Sequence, residues 1–202
     1  MQYSAYVPGR KIVDRVMLMQ ELVNGYTRAA GKPRCAIKID IMKAYDTVRW
    51  EFLWKVLELL KFPFIFINWI KGSITSVWFS VSLNGGLHEF FHRTRGLRQG
   101  DPLSPYLFII VMDMFNVVLM RKIEAKEFDY HPKCQEVKLP NIGFANDLFV
   151  MTGATRKSFT VLKEALYEFE KMFGLQPNMQ KSTCYFAGTT SKEARELEKE
   201  EE

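Results

Sequence analysis

Apolar and polar positions alternate in distinct rhythms along the chain, and these rhythms predict its elements. From Ala36 to Met42 the period is two: Ile37, Ile39 and Ile41 share one face of a strand, while Lys38, Asp40 and Met42 share the other. Asp40 therefore points away from the isoleucine face. Upstream, Val16, Met19, Val23 and Tyr26 recur at helical spacing, and the pattern stops before the breakers Gly31 and Pro33. Downstream, Trp50, Leu53, Leu57 and Leu60 predict a second helix capped by Asp46 or Thr47 and ending near Pro63. Val77 to Leu83 and Leu87 to Arg93 predict a hairpin around Asn84, Gly85 and Gly86, which supply its positive φ angles. An apolar helix follows over Leu107 to Lys122, after a loop rich in glycine and proline. Ile142 to Met151 reads as a second hairpin, folded at Ala145, Asn146, Asp147 and Leu148. The last packed helix starts near Ser158, runs Leu162, Leu166, Phe169 and Phe173 down one side, and stops at Gly174. Strands and helices interleave without a βαβ rhythm, which predicts an α+β fold with a largely antiparallel sheet packed on helices.

Composition narrows the classes. The 202 residues are 48% apolar, enough for one sizeable core and too many for a disordered protein. Residues 1–188 read as one unit and 189–202 as an acidic tail. The last twelve residues hold three basic and six acidic groups, so the preceding body carries 25 basic and 17 acidic groups, a net +8. That charge attracts polyanions, nucleic acid first. Cys35, Cys134 and Cys184 are too far apart for paired zinc spacing, and their odd number argues against a disulfide framework. The longest apolar run, Leu107 to Met120, is broken by Asp113 and Asn116 and is shorter than the ~20 residues that cross a membrane. Arg10, Lys11, Asp14 and Arg15 stand where a signal peptide would carry its apolar stretch, so no secretion signal is expected and the expected location is intracellular, in nucleus or cytoplasm.

His88, Glu89, Phe90, Phe91 and His92 spell H-E-x-x-H, the helical zinc-protease signature. The preceding Asn84-Gly85-Gly86 opens a strand instead, and at ~3.3 Å per residue the two imidazoles stand about 13 Å apart, beyond one zinc ion. We read both as exposed strand residues.

Three other segments belong together: Lys38 to Asp46 (K-I-D-I-M-K-A-Y-D), Gly96 to Pro105 (G-L-R-Q-G-D-P-L-S-P) and Gly143 to Leu148 (G-F-A-N-D-L). A strand-end aspartate beside a hairpin aspartate suits a site where carboxylates gather two divalent ions about 4 Å apart. Arg98, Gln99 and Gly100 offer a guanidinium, an amide and a bare backbone to a phosphate and a base. On residue type alone, Tyr45 is equally a core aromatic and Lys181 a surface lysine.

In this order the segments resemble the palm motifs of reverse transcriptases, and their wording is close to the plant LINE-type, non-LTR retrotransposon branch. Tyr6-Val7-Pro8-Gly9-Arg10 is similar to the segment upstream of that branch's first palm strand. Gly174-Leu175 through Asn178, Lys181 and Ser182 resembles its fourth palm motif. The resemblance spans about residues 5 to 188 and implies a palm with part of the fingers. It implies that Asp40 and the carbonyl of Ile41 hold Mg²⁺ in a two-metal site and that Tyr45 blocks a ribose 2′-hydroxyl. It implies too that Gln99 and Gly100 touch nucleotide and template and that Lys181 stands near the triphosphate. The implied partners are an RNA template, a DNA primer and deoxynucleoside triphosphates, with no membrane.

The chain departs from this pattern in two ways. The family's hairpin reads Phe-Ala-Asp-Asp, and here Asn146 replaces the principal carboxylate, which removes one charge from a cation site. Asp147 remains as a ligand, although alternation turns it to the face opposite Asn146. The second departure is extent: the rest of the fingers and a thumb are expected to be missing, and nothing in the sequence names what would supply them. The reading is an RNA-directed DNA polymerase domain impaired by Asn146 and by truncation. Its alternatives are a non-catalytic nucleic-acid-binding remnant and a translated fragment without selected function.

Overall fold

The computed structural model describes residues 12–26, 31–144 and 147–189. The segment Tyr6 to Arg10, the pair Ala145 and Asn146, and the acidic tail from residue 190 lie outside them. Chain order is α1 (Ile12–Val23), β1 (Arg34–Asp40), α2 (Ala44–Thr47), α3 (Trp50–Leu59), α4 (Phe64–Thr75), β2 (Trp78–Leu83), β3 (Gly86–His92), α5 (Ser104–Ala125), β4 (Asn141–Phe144), β5 (Asp147–Gly153), α6 (Arg156–Phe173) and β6 (Thr183–Ala187).

The central sheet runs β4-β5-β1-β6 with every pairing antiparallel, so the expected α+β class holds. Its two faces separate as the alternation in β1 requires. Ile37, Ile39, Leu148 and Val150 enter the main core with α3, α5 and α6, where Phe115 and Phe169 meet edge to face at 5.4 Å. Ala36, Ile142 and Met151 face the other way, onto Leu22 of α1 and Cys134. Helix α5 packs on α6, and beside that core Lys122 bridges to Glu168 at 3.1 Å on the surface.

Several boundaries differ from the sequence reading. On α1 the residue that meets the sheet is the buried Leu22, flanked by Met19 and Tyr26, while Val16 and Val23 are exposed. This helix is apolar on several sides, so periodicity alone does not choose its face. Neither Asp46 nor Thr47 caps the second helix: both lie in the single turn α2, and α3 begins after Arg49 without a side-chain cap. Asp46 instead pairs with Arg93 at 2.8 Å. Of the residues expected to fold the second hairpin, Asp147 and Leu148 belong instead to β5, and Phe144 pairs with Asp147. Helix α4 and strand β6 are further elements that the sequence reading did not separate.

The H-E-x-x-H segment lies in β3, as its turn predicted, and Glu89 bulges from the ladder with φ 53°. Phe64, Ile65 and Trp69 of α4 stand exposed and form an apolar strip on its surface.

Beneath α1, buried His131 accepts the Lys133 N–H at Nδ1 (3.2 Å), which leaves the ring proton on Nε2. Burial, with the nearby Arg34 and Lys133 charges, lowers its pKa from 6.5 to about 4. The unfolded chain then takes up this proton first, so His131 costs stability as pH falls from 6.5 toward about 4 and costs nothing above that window. Denaturant midpoints taken between about pH 7 and about pH 5 should fall less steeply in His131→Asn than in the natural chain. Equal slopes would assign the acid sensitivity to other groups.

Candidate functional site

Asp40 closes β1, and the chain then leaves the sheet. Ile41 is buried and bridges to Pro177, and Lys43 follows in the left-handed region at φ 43°. The Lys43 carbonyl accepts the Asp46 N–H at 2.8 Å and the Thr47 hydroxyl at 3.3 Å, which nucleates α2 and presents Tyr45. Tyr45 is half-buried, with its ring stacked on Phe108 at 4.7 Å. It thus belongs to the core and to the cleft at once.

The glycine-rich loop is tied to the same place. The Leu97 N–H donates to the Tyr45 carbonyl at 2.6 Å, the Gly96 N–H to that of Val48 at 2.8 Å, and the Trp50 indole to the Gly96 carbonyl at 2.6 Å. A Cβ on Gly96 would stand 2.7 Å from the Asp46 carbonyl oxygen, and its φ of 94° is itself unfavourable to other residues. Only glycine lets the loop approach α2 this closely. Past it, the Asp101 carboxylate accepts the Leu103 N–H at 2.8 Å and turns the chain into α5 at Ser104 and Pro105.

The result is a cleft of about 730 Å³ walled by residues from three distant stretches: Asp40, Ile41 and Tyr45, then Gln99 and Gly100, then Lys181. Met42, Lys43, Ala44, Ser104, Pro105 and Asn178 complete its lining, and the N-terminus of the 22-residue α5 opens onto it. Two lysines and a helix N-terminus at one cleft attract phosphate oxygens. Arg98 is exposed and is not a wall of the cleft. Lys43 was missed in the sequence, although it stands three residues after Asp40 in the same motif.

Asp147 lies at the adjoining sheet end. It is the register partner of Asp40, and residues directly opposite across two strands share a face. Alternation relative to Asn146 therefore does not remove Asp147 from the face of Asp40. Lys38, on that same face, pairs with Asp147 at 3.5 Å. Asn146 itself lies outside the described residues. Among the described residues no group of three or more His, Cys, Asp or Glu converges on one point. Two carboxylates and the Ile41 carbonyl are all oxygen donors, the set a hard divalent cation takes when substrate phosphates and water complete its shell. No helix among the described residues is long and apolar enough to cross a membrane.

A family model described as reverse transcriptase (RNA-dependent DNA polymerase) matches residues 2–198. The retrovirus-related Pol polyprotein of type-2 retrotransposable element R2DM from Drosophila melanogaster is 30% identical over 150 residues, 74% of this chain and 13% of that protein. The transposon TX1 149 kDa protein of Xenopus laevis is 31% identical over 120 residues, 59% of this chain and 9% of that one. Among solved structures, telomerase from Candida albicans, in complex with a fragment of telomeric RNA, superposes with a TM-score of 0.65. The identity there is 15%, covering 90% of this chain and 31% of the telomerase. The chain thus spans a small part of the length of the relatives it matches.

Proposed function

The chain belongs to the reverse transcriptase (RNA-dependent DNA polymerase) family, in its non-LTR retrotransposon branch, and from this premise we propose that its cleft is a nucleotidyl-transfer site weakened by Asn146. Members of the family use divalent metal ions. In this reading the reaction adds deoxynucleoside triphosphates to a DNA primer 3′-hydroxyl on an RNA template. The observation that carries it is the convergence of Asp40, Tyr45, Gln99, Gly100 and Lys181 on one cleft from three separate stretches of chain.

The roles follow from chemistry and position. Asp40, Asp147 and the Ile41 carbonyl are the donors for Mg²⁺. When bound, such ions supply Lewis acidity at the attacking and leaving oxygens. Lys181 and Lys43 face the triphosphate, while Gln99 and Gly100 face nucleotide and template, with Arg98 at the outer edge of the loop. Tyr45 closes the sugar pocket: its ring is held on Phe108 and cannot swing aside without leaving the core. The wording of the motifs supports a plant LINE-type element as the source, and Asn146 supports degeneracy.

Primer extension on an RNA template with Mg²⁺ or Mn²⁺ tests the reading, with Asp40→Asn beside the natural chain. Any extension should vanish in Asp40→Asn, and extension that survives it would place the chemistry elsewhere. Where extension is measurable, Tyr45→Ala should raise ribonucleotide over deoxynucleotide incorporation by roughly 10- to 200-fold, the range set by a single steric contact. Unchanged sugar preference would return Tyr45 to the core alone.

The loss of a carboxylate at Asn146 favours a second reading, a nucleic-acid-binding remnant without chemistry. Its mark is steeply salt-dependent binding to RNA or hybrid with no metal-dependent extension. A fragment without selected function would lack a cooperative thermal transition.

A further inference from the structure

Strand β6 stops short of the cleft. Its first residue, Thr183, pairs with Lys38, and no residue of β6 stands opposite Asp40. The backbone groups of Asp40 on that side must find other partners. They find them in residues 176 to 182. The Asp40 N–H donates to the Ser182 hydroxyl at 3.2 Å, and the Asp40 carbonyl accepts the Asn178 N–H at 2.7 Å. Just beyond, the Met42 N–H donates to the Gln176 carbonyl at 2.9 Å.

The Ser182 hydroxyl also donates, to the Asn178 carbonyl at 2.8 Å. That same carbonyl accepts the Lys181 N–H at 3.1 Å and the Ser182 N–H at 2.9 Å, closing the turn that carries Asn178 and Lys181 into the cleft. One hydroxyl therefore joins the backbone of Asp40 to the turn that holds Lys181. Packing gives this segment little help from behind. On its far side lies an apolar pocket of about 330 Å³, bounded by Ile37, Ile39, Phe159, Leu162, Pro177 and Met179. Open space there does not fix a side chain, so the hydrogen bonds to β1 set where the segment sits.

We propose that Ser182 is a positioning residue that fixes the Asp40 carboxylate relative to the Lys181 ammonium, the metal end and the phosphate end of the cleft. The proposal rests on the reading of that cleft as a nucleotidyl-transfer site. Losing the hydroxyl leaves the Asp40 N–H without its partner and frees the Lys181 turn from the strand. A nucleotide held at both ends by groups that no longer keep their spacing binds more weakly.

The test uses the full chain and Mn²⁺ with dATP, followed by electron paramagnetic resonance, together with exchange of the Asp40 amide and the thermal midpoint. Ser182→Ala should weaken Mn²⁺-dATP binding by about 2- to 10-fold, the range of one hydrogen bond, and speed exchange of the Asp40 amide. Ser182→Thr keeps the hydroxyl and should restore both. Should Ser182→Ala lose the cooperative transition, Ser182→Cys replaces it, since a thiol is a weak acceptor of similar shape. Its binding should fall in the same way. Binding equal to the natural chain in the Ala or Cys variant, with Asp40→Asn still losing it, overturns the role of Ser182 and leaves the reading of the cleft intact. Faster amide exchange with unchanged binding also overturns it. Absence of Mn²⁺-dATP binding from the natural chain and from Asn146→Asp removes the reading of the cleft and the proposal with it.

Discussion

Asn146→Asp should raise Mg²⁺-dependent, RNA-templated primer extension by roughly 10²- to 10⁴-fold over the natural chain, the scale on which one member of a catalytic set acts. The cause is electrostatic. An amide oxygen coordinates a divalent cation as a neutral dipole, whereas a carboxylate brings a full charge to an ion that gives up its water reluctantly. In the natural chain Asp40 and Asp147 share one sheet face, and Asp147 already answers Lys38 at 3.5 Å. The site is short of negative charge by that measure as well. Extension assays on the two proteins, purified side by side, read the difference. Equal extension by both would mean that Asn146 does not limit the site. Silence from both would shift weight to the binding remnant or to the fragment without selected function.

Phe169→Ala should lower the unfolding free energy by about 3 to 5 kcal/mol, the cost of truncating a large aromatic in a packed core. Phe169 is only 1% exposed and contacts two other rings, Phe115 at 5.4 Å and Phe173 at 5.1 Å. Its loss opens a cavity where α5 and α6 meet and where Phe173 hands the chain on to Gly174. The Arg49 N–H donates to the Phe173 carbonyl at 2.9 Å, so this junction also locates α3. Against a total stability of about 5 to 15 kcal/mol, such a change moves the thermal midpoint by roughly 10 °C. Scanning calorimetry or denaturant melts would show it, and a shift below about 1 kcal/mol would mean that the core repacks around the gap.

Local pattern carried the elements it should carry. The alternation of Ile37, Ile39 and Ile41 placed Asp40 on the opposite face, because side-chain direction in a strand depends only on its period. Asn84 and Gly85 announced the β2–β3 hairpin by their positive φ, whereas Gly86, read with them, already opens β3 without one; Gly174 ended α6 at φ 73° for the same reason as the turn pair. The motifs around Asp40, Gln99 and Lys181 were legible as a resemblance, since each is a short contiguous string.

What the sequence left open depends on partners distant along the chain. That Asp147 stands opposite Asp40 follows from the β1–β5 register, which is a property of two strands over 100 residues apart. Likewise α1 is apolar on several sides, and only the sheet it packs against selects Leu22 over Val16 and Val23. Lys43 at positive φ and the Ser182 hydroxyl on the Asp40 N–H have no signal in local propensity, because both conformations are imposed by what surrounds them. Strand period, turns, charge and motif strings were legible from the residues alone, because each is set within a few neighbours along the chain. Which of those strings share a cleft, which carboxylates share a face, and what holds Asp40 where β6 ends came from long-range pairing. Those are relations between backbones that only folding brings to within hydrogen-bonding distance.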